Sequence, residues 1–316
     1  MANDKISLNA LIEEAEAAKL SLNAYLLPQS AAELEITEEE LLAKMVQMLK
    51  VMEEAAAYGL TGVRSHSGLT GGSALKLQNA AAQPGFNKLL GALATDAVTY
   101  ALAVSECNAA MGRIVAAPTA GAAGVLPGVL LALKKHCNLT EEQLARALVV
   151  AGQIGLVIAA RASLAGAVGG CQAECGSAAA MAAGAAVDAL GGTPAQAGTA
   201  VSIVFKNMLG LVCDPVAGLV EVPCIKRNGG AAVQALLAAE MALAGIGTGL
   251  NVPLVLTAGA IVTGAWSGNT LSPLSDSSVM LCGLCEEPMS EHIRYTMYTT
   301  VPSFLLSLCY FFLIGG

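Results

Sequence analysis

The sequence predicts an all-α protein, on three observations. Hydrophobic residues make up 55% of the 316-residue chain but aromatic residues only 4%, which favours helices with small faces that pack closely. Three capping boxes mark helix starts, because a Thr side chain and a Glu or Gln three residues later satisfy the first free backbone N–H groups. No segment between the last two boxes alternates polar and apolar residues as a strand would. The boxes pair Thr37 with Glu40, Thr140 with Gln143, and Thr193 with Gln196.

The first of these boxes opens an amphipathic helix in the charged N-terminal region. Leu41, Met45, Met48 and Met52 recur at helical spacing and therefore share one face. The other two boxes each open an alanine-rich run. The last run has proline at its first helical position, where the missing N–H costs nothing.

Glycine-rich segments interrupt the helical pattern at four places and are predicted to be loops. They are residues 67–72, 117–121, 166–176 and 209–223. Loops between helices often carry binding and catalytic residues. We therefore expect several of these segments to meet at one site.

The last seventy or so residues differ in kind from the rest. Residues 250–266 and 301–314 are almost entirely apolar. Each run is close to, or slightly short of, the roughly 20 residues that span a bilayer. Either run therefore fits a membrane-inserted segment or a buried helix.

Charge and cysteine usage exclude some classes of function. A formal net charge of -8 argues against nucleic-acid binding, which requires a basic surface. The first residues lack a cationic region followed by an apolar stretch, so we expect a cytoplasmic protein. The nine cysteines are then thiols, and their odd number fits disulfide pairing poorly.

Three of the cysteines stand beside glycine or proline. Cys171, Cys213 and Cys224 offer soft sulfur ligands of the kind that hold iron–sulfur clusters. A set of three would leave one iron of a cubane cluster open for chemistry. The spacing is not that of a ferredoxin, and it leaves open that all three are small buried hydrophobic residues.

Two motifs around these cysteines resemble a known family. They are Gly-Gly-Cys-Gln-Ala-Glu at residues 169–174 and Lys-Asn-Met-Leu-Gly-Leu-Val-Cys-Asp-Pro-Val-Ala-Gly-Leu-Val-Glu-Val-Pro-Cys at residues 206–224. Both resemble the α subunit of bacterial iron–sulfur-dependent L-serine dehydratase. The same resemblance extends over residues 67–72, 108–112, 117–121 and 226–228, and so covers the chain to about residue 246.

The resemblance implies a cofactor, a reaction and a partner. Cys171, Cys213 and Cys224 would hold a 4Fe-4S cluster whose fourth iron binds substrate. The reaction would convert L-serine to pyruvate and ammonia, and a β subunit would be the partner. Two positions depart from the family pattern: Cys175 stands where a small apolar residue is expected, and Ser73 where Asp is usual.

The resemblance also points to residues that bind the substrate carboxylate. Backbone N–H groups and hydroxyls after glycine-rich turns bind anions readily, although both segments also fit ordinary tight turns. Lys226 or Arg227 would assist with the anionic substrate. His66 is a tempting base, but an exposed loop histidine is the preferred interpretation, and no general base is assigned. The predicted substrate-binding residues are Ser67, Gly68, Thr70, Gly71, Gly72, Thr119 and Lys226.

The C-terminal segment gives a second resemblance and a second class of function. Residues 247–316 are similar to a fragment of an NhaC-type sodium/proton antiporter, so we predict a helical domain over residues 1–246 and an apolar tail over 247–316. A membrane transport or tethering protein is the alternative from another class. A cysteine desulfidase that uses the same cluster site is the alternative enzyme.

Overall fold

The computed structural model describes residues 7–86, 88–216 and 218–247, with residues 297, 298, 301, 302, 305, 306 and 309. Within these residues the protein is all-helical and contains no strand, so the predicted fold class is confirmed. Most of the predicted tail lies outside the described residues. The helices are α1 Leu8–Ala17, α2 Leu22–Glu33, α3 Glu38–Gly59, α4 Ser73–Ala82, α5 Gly91–Ala109, α6 Val125–Cys137, α7 Glu141–Arg161, α8 Gly166–Ala189, α9 Pro194–Met208 and α10 Glu221–Leu243.

All three predicted capping boxes are confirmed. Thr37, Thr140 and Thr193 precede α3, α7 and α9, and each accepts a hydrogen bond from the backbone N–H three residues later. The Glu or Gln at that position returns the bond to the Thr backbone. Pro194 begins α9, as predicted.

Two of the predicted loops contain more helix than expected. Residues 166–176 are not a loop, because α8 runs from Gly166 to Ala189 with a kink at Gly170. The prediction for 209–223 is wrong at its end, because α10 already begins at Glu221. Cys171 and Cys224 therefore lie at the starts of helical segments, and only Cys213 lies in a loop.

Helix α8 forms the centre of the fold. Its alanines from Ala178 to Ala186 are almost completely buried, and it packs against α6, α7, α9 and α10. Because these side chains are small, neighbouring helices approach closely along its length. The alanine-rich composition therefore lets several helices surround the residues that follow Gly170.

Helices α3 and α5 show how close these approaches become. A Cβ placed on Gly59 would lie 1.9 Å from the carbonyl oxygen of Ala103. The nearest atoms are all backbone atoms of Ala103, so no flexible side chain can move aside to make room for the Cβ. Glycine at this crossing is therefore a packing requirement.

Replacing Gly59 by Ala is expected to destabilise the protein by about 1–3 kcal/mol, the usual cost of overpacking. Gly152 on α7 is the matched control, because a Cβ there would meet nothing within 4 Å. Gly152→Ala should instead stabilise the chain by about 0.5–1 kcal/mol through helix propensity. Denaturant unfolding of both variants measures the difference, and equal effects would contradict the packing argument.

Among the described residues, one helix has the length and apolar composition needed to cross a membrane. It is α7, and 61% of its apolar window is buried inside the protein. Helices α2, α3 and α8 pack against it. These contacts place α7 in the core of the helical domain.

Candidate active site

The site begins at a break in helix α8. Gly170 adopts φ 72° and ψ −173°, a conformation that L side chains rarely adopt. A Cβ on Gly170 would lie 2.8 Å from the carbonyl oxygen of Leu211. Gln172 fixes the same approach, because its backbone N–H donates to Leu211 O at 2.9 Å and its side-chain oxygen accepts from Gly210 N at 2.9 Å. The chain leading to Cys213 is thereby held against the start of the second half of α8.

Three buried thiols meet beside this break. Cys171 makes side-chain hydrogen bonds with both Cys175 and Cys224, and all three residues are buried. Cys213 is half-buried and close enough for its charge to raise the pKa of Cys224. The structure therefore brings together the three predicted cysteines and adds Cys175, which lies one helical turn after Cys171.

The hydrogen bonds divide the thiols into one acceptor and two donors. Hydrogen bonds from Cys175 and Cys224, and then from Arg227, hold the pKa of Cys171 far below its ordinary value, against the effect of burial. The same bond to Cys171, together with burial, raises the pKa of Cys175 and of Cys224. Cys171 is thus the favoured thiolate, as expected for a sulfur at a helix start beside a guanidinium.

Arg227 connects α10 to both sides of Cys213. Its Nη1 donates to the carbonyl oxygen of Val212 at 2.5 Å, and its Nη2 lies 2.8 Å from Asp214 Oδ2. The guanidinium also donates to Cys171. Its contacts therefore lie with the thiols and with the loop that carries Cys213.

Lys226 has different surroundings from its neighbour. Its side chain is exposed, and its Nζ donates to the Val222 carbonyl of the same helix at 3.3 Å. The described contacts do not join it to the thiols. Its predicted role in substrate binding remains a prediction.

The first glycine-rich loop lies at the start of α10. Ser67 Oγ donates to Glu221 Oε2 at 2.7 Å and accepts from Leu69 N at 3.1 Å. Thr70 closes the loop, because its carbonyl oxygen accepts from Ser65 N at 2.9 Å. Ser67 is therefore held beside Glu221, three residues before Cys224, while the described contacts of Gly68, Thr70, Gly71 and Gly72 do not reach the thiols.

His66, in the same loop, is exposed as expected. Its backbone N–H donates to the carbonyl oxygen of Ala109 at the end of α5, at 3.2 Å. This bond ties the loop to α5. It supplies no evidence for a general base at His66.

A buried carboxylate anchors the far end of this loop. Glu106 is 0% exposed, and its oxygens accept from Ser73 N at 2.7 Å and Ala74 N at 3.3 Å. These N–H groups begin α4, where a negative charge is favoured by the helix dipole. The loop therefore ends at a fixed point inside the core.

The second predicted loop is attached to the cysteine helices by two side chains. Thr119 Oγ1 donates to Oε1 of Glu174, and Glu174 lies three residues after Cys171. Asn228, which is 0% exposed, donates to Gly121 O at 2.7 Å and to Cys224 O at 2.8 Å. The structure thus brings Thr119 close to the thiols, while its contact with substrate remains a prediction.

The thiols provide a donor set of the kind that holds an iron–sulfur cluster. Among the described residues, no three His, Cys, Asp or Glu side chains are arranged to hold one metal ion. In an iron–sulfur cluster each cysteine binds a different iron, so the sulfurs surround the cluster instead of converging on a point. Three sulfur donors with a guanidinium beside them fit an anionic cluster of this kind.

Sequence reasoning left the roles of three residues open or did not consider them. Arg227 was assigned to substrate, Asn228 appeared only within a motif, and Glu106 carried no signal at all. An Arg three residues after Cys224 lies on the same helical face, so its contact with the thiols was detectable. The partners of Glu106 lie 32 and 33 residues away in sequence, beyond any local pattern.

Replacing Gly170 by Ala is expected to destabilise the protein and to displace Cys171 from Cys213. The left-handed backbone costs an L residue about 1–2 kcal/mol, and the contact with Leu211 adds about 1–3 kcal/mol. Gly191 is the matched control, because its φ is 79° and a Cβ there would meet nothing within 4 Å. Denaturant unfolding should show the larger loss for Gly170→Ala, and equal losses would contradict the close approach.

Comparison with known proteins decides the family. The family described as "Serine dehydratase alpha chain" matches residues 5–261. The chain belongs to the serine dehydratase alpha chain family. The match includes both cysteine motifs and extends past the predicted domain boundary at residue 246.

Individual relatives agree with this assignment to the serine dehydratase alpha chain family. The chain is 52% identical over 240 residues to the "Probable L-serine dehydratase, alpha chain" of Bacillus subtilis, covering 76% of this chain and 79% of that protein. It is 42% identical over 212 residues to the "L-serine dehydratase, alpha chain" of Peptoniphilus asaccharolyticus, covering 66% of this chain and 72% of that protein.

A further relative is considerably longer. The "L-serine dehydratase" of Streptomyces coelicolor is 42% identical over 245 residues, which are 75% of this chain but only 52% of that protein. This chain therefore spans about half the length of that relative. The relatives named as alpha chains do not carry so large an additional part.

Proposed function

We propose that this chain is the α subunit of an L-serine dehydratase, which converts L-serine to pyruvate and ammonia in the cytoplasm. One observation carries the proposal: the three predicted cysteines lie together beside the kink at Gly170, and two glycine-rich loops are bonded to the helices that carry Cys171 and Cys224. The family match gives this arrangement its expected chemistry. Nine thiols also fit a reducing compartment.

We assign a 4Fe-4S cluster to Cys171, Cys213 and Cys224. Such a cluster supplies, when bound, an iron with an open position that acts as a Lewis acid toward the hydroxyl leaving group. Hydrogen bonds that lower the pKa of Cys171 favour the thiolate form that a metal ligand requires. The guanidinium of Arg227 beside it supplies the positive charge that favours an anionic cluster.

The glycine-rich loops are assigned to the substrate carboxylate. Hydroxyls and backbone N–H groups there bind and orient an anion. Lys226, two residues after Cys224, is exposed to solvent. The orientation of the substrate matters because the Cα proton of serine is a weak acid. A base removes it readily only when the substrate is also positioned to lose its hydroxyl. The assigned residues are Ser67, Gly68, Thr70, Gly71, Gly72, Thr119 and Lys226.

A β subunit is the proposed partner. The names of the Bacillus subtilis and Peptoniphilus asaccharolyticus relatives specify an alpha chain. The longer Streptomyces coelicolor relative matches this chain over only 52% of its length. A second chain that supplies the additional part is consistent with both observations.

The cofactor assignment is tested by chemical analysis after anaerobic purification. The parent chain should contain about four iron atoms and four acid-labile sulfides per chain, and a variant with Cys171, Cys213 and Cys224 replaced by Ser should contain none. The loaded chain with its β subunit should then release pyruvate from L-serine in preference to sulfide from L-cysteine. A folded parent chain without a cluster would overturn the assignment.

We propose separately that residues 247–316 form a segment apart from the helical domain of residues 1–246. The apolar runs at residues 250–266 and 301–314 motivate a test of membrane contact. Membrane fractionation of the full chain and of a chain lacking residues 247–316 provides it. Membrane association that disappears with the deletion would support a tether, and a full chain absent from the membrane fraction would exclude one.

A further inference from the structure

Large apolar side chains surround the thiol site on the protein surface. Each is between 40% and 82% exposed, and all come from the segments that build the site. We call this set the apolar rim. It consists of Leu69, Met111, Val168, Leu209, Val216, Leu219 and Val220.

The described hydrogen bonds join the segments that carry one half of the rim. Leu69 lies on the 65–70 loop, and Ser67 of this loop donates to Glu221, the residue after Val220, at 2.7 Å. The same loop is bonded to the end of α5, because His66 N donates to Ala109 O at 3.2 Å, two residues before Met111. The loop therefore adjoins both the start of α10 and the end of α5.

The other half of the rim is joined in the same way. Val216 and Leu219 are paired through two backbone hydrogen bonds of 2.8 and 3.0 Å, and Leu219 adjoins Val220. Gly170 and Leu211 lie in close contact. Val168 lies two residues before Gly170, and Leu209 lies two residues before Leu211. The rim thus follows the loops that surround the cysteines.

Such a surface is unfavourable in water. Exposed apolar groups at several adjoining positions mark contact sites for other proteins, and burial of each side chain stabilises a complex by removing that area from water. The site inside the rim also benefits from a cover, because exclusion of water strengthens every electrostatic interaction with a bound substrate. Ser67, which contacts Glu221, is itself exposed.

The relatives indicate what supplies the cover. Matches of similar length cover 79% of the Bacillus subtilis alpha chain, over 240 residues, but only 52% of the Streptomyces coelicolor L-serine dehydratase, over 245 residues. The longer protein therefore carries a large additional part on the same polypeptide. The name of the Bacillus subtilis relative, an alpha chain, indicates that a separate subunit carries the equivalent part there.

We infer that the apolar rim is the docking surface for the β chain, which covers the thiol site. This inference rests on the proposed function, because it takes the partner from there. The β chain would meet apolar side chains on the 65–70, 209–220 and 109–112 segments at once. Docking would then order the substrate loop and close the site in one step.

Two matched double variants test the inference. The rim variant is Met111→Glu with Leu209→Glu, and neither residue contacts the thiols or the predicted substrate groups in the described contacts. The control is Leu89→Glu with Leu190→Glu. Leu89 is 89% exposed and lies just before the start of α5. Leu190 matches Leu209 because each caps the C-terminus of its helix, α8 and α9 respectively. Leu190 lies 19 residues after Cys171, or about 28 Å along the helix.

The measurement is the affinity of full-length, anaerobically loaded chain for its cognate β chain, with iron per chain determined on the same samples. The rim variant should bind the β chain about tenfold or more weakly, and its iron content should match that of the parent. The control should bind as the parent does. The single variant Met111→Glu repeats the test at an exposed loop position if the double variant does not fold.

Three outcomes would overturn the inference: equal affinity of the rim variant and the parent, no binding of the β chain by the parent, or a parent self-association that the rim variant abolishes. The last would assign the rim to a second copy of this chain. A parent that binds the β chain through the rim but contains no iron would leave the docking surface standing. It would overturn the proposed function alone.

Discussion

Replacing Arg227 by Met is expected to weaken retention of the proposed iron–sulfur cluster by about 10–100-fold, the usual effect of removing a group that positions metal ligands. The guanidinium donates to Cys171 and to Val212 O, and it pairs with Asp214 at 2.8 Å. Methionine keeps an unbranched apolar stem but none of these contacts. Cys171 then loses a favourable positive charge, and the loop of Cys213 loses its attachment to α10.

The measurement is the concentration of iron chelator that removes half of the iron from anaerobically purified protein. Arg146→Met is the control, because Arg146 pairs only with Glu142 on the exposed face of α7 in the described contacts. Arg227→Lys should fall between parent and Arg227→Met, since lysine keeps the charge without the planar fork. If Arg227→Met retains iron as well as the parent does, the proposed role of Arg227 at the site is wrong.

Replacing Glu106 by Leu is expected to cost about 2–6 kcal/mol of stability. The side chain is 0% exposed, and its removal leaves the N–H groups of Ser73 and Ala74 without their acceptor. Each unsatisfied buried group costs about 1–3 kcal/mol. The loss should be accompanied by disorder in the loop of Ser67, because α4 no longer has a fixed start.

Denaturant unfolding measures the loss, and limited proteolysis detects release of the loop. Glu106→Gln is the matched variant, since its amide oxygen still accepts one of the two bonds, and its loss should be about half as large. A Glu106→Leu protein as stable as the parent would show that water replaces the carboxylate. The anchoring role would then be wrong.

Local sequence patterns determined the helix starts. Each capping box involves residues only three positions apart, so its hydrogen bonds follow from the sequence alone. The long motif around Cys213 and Cys224 likewise pointed to the family. The cysteines themselves were identified by residue type, since soft ligands for iron are few.

Backbone conformation at the kink was not determined locally. Residues 166–176 contain enough glycine to predict a loop, yet all but Gly170 are helical. After Gly170 the helix packs among α7, α9 and α10, and this burial stabilises helical pairing of the backbone groups. Tertiary packing overrides weak glycine propensity in such a position. Cys171 and Cys224 consequently lie at helix starts, whereas Cys213 lies in a loop.

The sequence by itself thus determined the fold class, the capped helices and the cysteines that form the candidate site. Only the tertiary structure decided that Cys175 joins those thiols, that Arg227 faces them while Lys226 faces solvent, and that Glu106 and Asn228 hold the two glycine-rich loops. The physical reason is distance along the chain. A hydrogen bond over three or four residues leaves a repeating pattern, whereas the bond between Asn228 and Gly121 spans 107 residues and exists only once the helices have packed.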